Sequence, residues 1–150
     1  NMAPKTIGML SHVDNIVSIK EAAGSVDQVK EIALCIQPDF KIYSGDDALT
    51  LEFIKEGAVG VVSVASHCIG SQLNEMVRLA CDKNFEKATD IHNKYTSLFE
   101  VLFIAPNPCP VKAALRLMGH PVGKPRLPLI DVSIDELEKI KFVLQELDLI

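Results

Sequence analysis

Three short apolar runs constrain this chain most: Asn15-Ile-Val-Ser-Ile-Lys20, Lys41-Ile-Tyr43 and Gly60-Val-Val-Ser-Val-Ala65. Each is rich in β-branched or aromatic residues and too short to be a helix, so each reads as a strand. A helical stripe follows every one. Ser25 opens the first, with Gln28 three positions on in capping-box spacing, and Val26, Val29, Ile32, Ala33 and Ile36 carry it until Pro38 stops it. The second carries Leu49, Phe53 and Ile54, has Asp46 or Asp47 at its cap and ends near Gly57. The third carries Leu73, Met76, Val77, Ala80 and Cys81. Successive strands are spaced by roughly 20–25 residues, room for the crossover that parallel strands require. The pattern therefore predicts parallel strands joined by right-handed helical crossovers. Before them, the first ten residues read as a short helix, with Pro4 near its start and Ile7 and Leu10 on one side.

After residue 82 the strands stop. Phe85, Ala88, Ile91, His92, Tyr95, Leu98, Phe99 and Leu102 share one face of a long helix, broken by Pro106-Asn-Pro-Cys-Pro110. A helix over about 108–118 follows, with Gly119 at its end, then a Pro/Gly-rich loop from His120 to Leu129. Ser133-Ile-Asp-Glu136 is a second capping box, and Ile134, Leu137, Ile140, Leu144 and Leu147 follow it. The expected organisation is α/β: strand–helix units over 1–82 and a three-helix extension over 83–150. Three parallel strands cannot close a barrel, and left open they have two bare edges. Their Val/Ile character is that of strands covered on both faces. The expectation is the end of a larger barrel whose other strands lie elsewhere. The chain opens on Asn1 rather than on methionine, which reads as a processed, tagged or cut end.

Composition narrows the function classes. The chain has 150 residues, 48% of them hydrophobic, enough for a real core. A net charge of −5 with no basic cluster argues against a nucleic-acid partner. No apolar run approaches the roughly 20 residues of a membrane span, and no secretory signal pattern is visible. Cys35, Cys68, Cys81 and Cys109 form no C-x-x-C pair and read as buried reduced thiols of a cytoplasmic protein. No His/Cys/Asp/Glu spacing suggests a metal, and no phosphate-binding glycine motif is present.

The chemistry-bearing candidate is Lys20. Ser18 and Lys20 point to one side of their strand, Val17 and Ile19 to the other. With the apolar pair toward the helices, the polar pair faces a barrel interior. Strand ends are where parallel α/β proteins do chemistry. A desolvated amine is favoured in its neutral form and can attack a carbonyl to form a Schiff base. The plainer reading is a lysine reaching solvent. Ser44-Gly45-Asp46-Asp47 ends the next strand, either as pocket wall or as a helix cap. His67, after the third strand, is a site residue or an ordinary loop histidine. Asn107-Pro-Cys-Pro-Val-Lys112 reads as a rigid corner, with Lys112 at the surface.

Taken together, Asn15-Ile-Val-Ser-Ile-Lys-Glu-Ala22, Tyr43-Ser-Gly-Asp-Asp-Ala-Leu-Thr50, Gly60-Val-Val-Ser-Val-Ala65, Asn107-Pro-Cys-Pro-Val-Lys112 and Arg126-Leu-Pro-Leu129 resemble the dihydrodipicolinate (4-hydroxy-tetrahydrodipicolinate) synthase family, across the chain and in order. That family lies in a superfamily with N-acetylneuraminate lyase and other keto-acid aldolases. The resemblance implies the C-terminal part of a (β/α)₈ barrel: three βα units, then a helical extension. It implies that Lys20 captures pyruvate as a Schiff base, that the Val62 backbone lies against the pyruvate and that Gly45 lines the pocket. The enamine would attack aspartate 4-semialdehyde, a step of lysine biosynthesis, with no metal or organic cofactor. The family's threonine pair, relay tyrosine and carboxylate-binding arginine have no counterpart here; Tyr43 and Tyr95 stand in other contexts. The chain is thus expected to need the N-terminal half of the barrel as partner and to be inactive alone, within a homo-oligomer that is commonly a tetramer in the family. The alternatives are another pyruvate-dependent aldolase or lyase of the superfamily, or a non-catalytic half-barrel that serves as an interaction module.

Overall fold

A computed structural model describes all of residues 1–150. The chain divides into two compact units, Asn1–Ser63 with Glu75–Thr89, and Val64–Asn74 with Asp90–Ile150. The first unit opens with α1 (Pro4–Leu10), then alternates β1 (Ser18–Glu21), α2 (Val26–Cys35), β2 (Lys41–Ser44), α3 (Thr50–Lys55) and β3 (Gly60–Val61). The three strands form one parallel sheet in the order β1-β2-β3. Ser18 stands beside Lys41, Lys20 beside Tyr43, and Tyr43 beside Gly60.

The pleat sorts the strand residues onto two faces. Glu21, Ile42 and Ser44 are buried on one. Ser18, Lys20 and Lys41 are exposed on the other, and Tyr43 is half-buried there. In this chain the strands are therefore covered on one face only, not on both as their composition suggested. Val17, expected with Ile19 on the helix side, is 65% exposed. Its carbonyl accepts the Lys41 N–H at 3.0 Å, so the ladder reaches it, but its side chain is left uncovered just before the start of β1. Val29, Ile32, Phe40, Ile42, Leu51 and Phe53 are buried in this unit.

Local rules explain most element ends. The Ser25 hydroxyl accepts the Gln28 N–H at 3.2 Å and starts α2. The Gln28 side chain does not complete a capping box; it bonds Glu21 and Asn1 instead. Helix α3 starts at Thr50, later than expected, with no side-chain cap; Asp46 Oδ1 accepts the Leu49 N–H at 3.1 Å in the turn before it. Strand β3 covers only Gly60–Val61 of the expected run.

Helix α4 (Ser66–Cys81) breaks from helical geometry at Ile69, and α5 spans Phe85–Val101. In the second unit α6 (Cys109–Leu117) packs on α7 (Ile134–Glu146). Gly119 has φ +88° beyond the end of α6, as an αL terminator should. The capping box of α7 is complete in both directions. Ile140 and Leu144 are fully buried, whereas Ile134, expected on that stripe, is 79% exposed in the first turn. All four cysteines are free, but Cys35 and Cys81 are exposed, which corrects the expectation of buried thiols. No helix is long and apolar enough to cross a membrane.

Candidate active site

The C-terminal ends of the three strands are tied by two short backbone bonds. The Gly45 N–H donates to Glu21 O at 2.7 Å, and the Val62 N–H donates to Ser44 O at 2.7 Å. These bonds continue the ladder past the formal strand ends. They place the residue after Lys20, the residue after Ser44 and the residue after Val61 on successive rungs. Lys20, Gly45 and Val62, which the family resemblance assigns to one pocket, thus stand together at one end of one sheet.

Lys20 is exposed on the open face, and no ion pair holds it. Its aliphatic chain crosses directly over Gly45: a Cβ built at position 45 would lie 2.7 Å from Lys20 Cε and 3.1 Å from Cγ. An open hollow of about 470 Å³ adjoins it, lined by Asn1, Met2, Ile19, Lys20, Glu21 and the Ala22-Ala23 turn. Another, of about 360 Å³, lies before the starts of β1 and β2, around His12, Val17 and Phe40. It is at the wrong end of the strands for Lys20 to reach.

The supports of Lys20 were not legible from the sequence. Glu21 is 4% exposed. Its Oε1 accepts the Ala23 N–H at 2.7 Å and its Oε2 accepts from Gln28 Nε2 at 3.0 Å. This fastens the end of β1 to the start of α2. A charged residue adjoining Lys20 at a strand end was the available signal, but it reads as solvated until the fold buries it. On β2, the Ser44 hydroxyl donates to Asp46 O at 2.8 Å and accepts the Asp46 N–H at 3.1 Å. The Thr50 hydroxyl donates to the same carbonyl at 2.8 Å. Asp46 is engaged in shaping the turn that presents Gly45. His67 lies in the first turn of α4, not in a loop, and is exposed. Lys112 is half-buried on α6. The thiol of Cys68, on α4, is pushed up to about 11 by burial, so it is protonated at neutral pH.

The profile of the Dihydrodipicolinate synthetase family matches residues 1–147. The chain belongs to that family. Over 145 residues it is 46% identical to the 4-hydroxy-tetrahydrodipicolinate synthase of Heliobacterium modesticaldum, covering 97% of this chain and 48% of that protein. The crystal structure of the dihydrodipicolinate synthase of Cyanidioschyzon merolae with lysine bound superposes with a TM-score of 0.96 at 44% identity, covering 100% of this chain and 51% of that one. The chloride-inhibited enzyme of Acinetobacter baumannii complexed with pyruvate gives 0.95 at 32% identity, covering 100% and 52%. The chain spans about half the length of the curated relatives it matches. The family resemblance read from the sequence therefore stands.

Proposed function

We propose that these residues carry the nucleophile of a 4-hydroxy-tetrahydrodipicolinate synthase, with Lys20 forming the Schiff base. The observation that carries this is the unpaired Lys20 amine on the open strand-end face, its chain crossing Gly45. The name shared by the curated relatives and the pyruvate bound to the Acinetobacter baumannii enzyme supply the substrate class. In this reading residues 1–82 are the closing βα units of a (β/α)₈ barrel and residues 83–150 its helical extension. The missing walls come from the N-terminal half, in a cytoplasmic homo-oligomer. The Val62 N–H is committed to Ser44 O, so its carbonyl is what its backbone offers the pyruvate.

The covalent steps are carried by the lysine, without metal or organic cofactor. The Nζ lone pair adds to the keto carbon of pyruvate, and loss of water gives an imine. Loss of a methyl proton gives the enamine, whose carbon attacks the aldehyde of aspartate 4-semialdehyde, and the aldehyde oxygen takes up a proton. The amino group of the new chain then adds to the imine carbon and expels Lys20, which closes the ring and frees the amine.

The test is incubation of the full-length protein with pyruvate and borohydride, followed by mass analysis of the peptide containing Lys20. Hydride reduction of the imine should leave a stable secondary amine at Lys20. Absence of an adduct overturns the proposal. An adduct without consumption of aspartate 4-semialdehyde would replace the synthase with another pyruvate-dependent lyase.

A further inference from the structure

We infer that Gly45 is a positioning residue for Lys20: its missing side chain is the lane along which the lysine chain reaches the mouth of the sheet. This rests on the Schiff-base reading of Lys20 and deepens it. Gly45 is not among the glycines with positive φ, which are Gly24, Gly57, Gly119 and Gly123. Its backbone conformation is therefore open to other residues, and only space demands glycine. A Cβ there would sit 2.6 Å from Ala22 Cβ, 2.7 Å from Lys20 Cε and 3.1 Å from Lys20 Cγ. Its N–H is engaged with Glu21 O, so it does not serve a substrate carboxylate. Its carbonyl would be there with any residue, so what glycine in particular contributes is the missing side chain.

Residue 45 cannot back away from the lysine. It is tethered at 2.7 Å to Glu21 O, and its neighbour Ser44 is fully buried with its hydroxyl bonded at Asp46. The two contacts differ in kind. Ala22 Cβ is fixed to the backbone, so a clash with it strains the fold. Lys20 Cε ends a flexible chain, so a clash with it is relieved by swinging the amine aside. A side chain at 45 thus has a stability effect through Ala22 and a separate positional effect through Lys20. The same device recurs one strand on, where a Cβ at Gly60 would lie 3.1 Å from the Tyr43 ring.

Ala22→Gly removes the first contact and leaves the second. In the full-length protein, Gly45→Ala should lower both the melting temperature and the rate of borohydride trapping of pyruvate at Lys20. Adding Ala22→Gly should recover the melting temperature. Trapping should stay at least about tenfold, and up to the order of 10²-fold, below that of the Ala22→Gly single variant, the scale of a displacement of about 1 Å. Trapping by the double variant at the single variant's rate would overturn the inference. If the unaltered protein forms no Lys20 adduct, the Schiff-base reading fails and the lane is judged without pyruvate. A crystal structure of the double variant should then show Lys20 Cε displaced from above residue 45, and an unmoved chain would overturn it.

Discussion

Lys20 combines two properties that a strand seldom gives one side chain. Its backbone is held by the ladder between β1 and β2, while its amine stands on the open face. Replacing it should therefore remove chemistry and leave the fold. Lys20→Arg keeps the charge and most of the length, but a guanidinium stays protonated and cannot add to a ketone. We expect no pyruvate adduct under borohydride in the full-length variant, and in the 150-residue chain, where Lys20 is exposed, stability within about 0.5 kcal/mol of the parent by urea unfolding. A large loss of stability would mean that Lys20 is a structural residue. The period of two along the strand was enough to put Lys20 and Ser18 on one side in the sequence. The crossing of Lys20 over Gly45 was not legible, because it joins residues on different strands and depends on a bare Cα.

The elements were legible wherever one local rule acted without competition. The capping box of α7 is such a case: Ser133 and Glu136 pair reciprocally on an exposed helix start. The Ser133 N–H holds the Glu136 carboxyl below its ordinary value of 4.5. A carboxylate so lowered contributes stability above its unfolded value, and that contribution is lost as pH falls through the lower folded value. The melting-temperature gap between the parent and Glu136→Gln should thus be full at neutral pH and close as pH drops below 4.5; a gap that widens in acid would contradict this. Where tertiary partners compete, the local reading slips. The Gln28 side chain, expected to complete the Ser25 cap, is drawn to Glu21 and Asn1 while its N–H stays on Ser25. Packing between α1 and α2 also sets a demand invisible in the chain. A Cβ at Gly8 would lie 2.8 Å from the carbonyl oxygen of Cys35 and 3.0 Å from its Cβ. Backbone on that side cannot yield, so Gly8→Ala should cost about 1–3 kcal/mol in chemical denaturation, the usual scale of overpacking.

At the scale of the whole molecule, the open face of the sheet governs what this chain can do. Lys20, Lys41 and Val62 are exposed there, so water has free access to any imine formed on Lys20. Closed sites protect such intermediates by excluding water. The 150-residue chain by itself should therefore trap pyruvate far more slowly than the full-length protein, in parallel borohydride reactions read by mass spectrometry; equal rates would show that the further walls are dispensable. The sequence by itself determined the alternation of strand and helix, the parallel sense of the sheet, the capped C-terminal helix and the place of Lys20 at a strand end. Each of these follows from periodicity or capping among residues close in the chain. Only the tertiary structure decided that Glu21 is buried, that Gly45 lies under Lys20 and that one sheet face is open. Those depend on distances between residues that the chain keeps far apart, and no local periodicity encodes them.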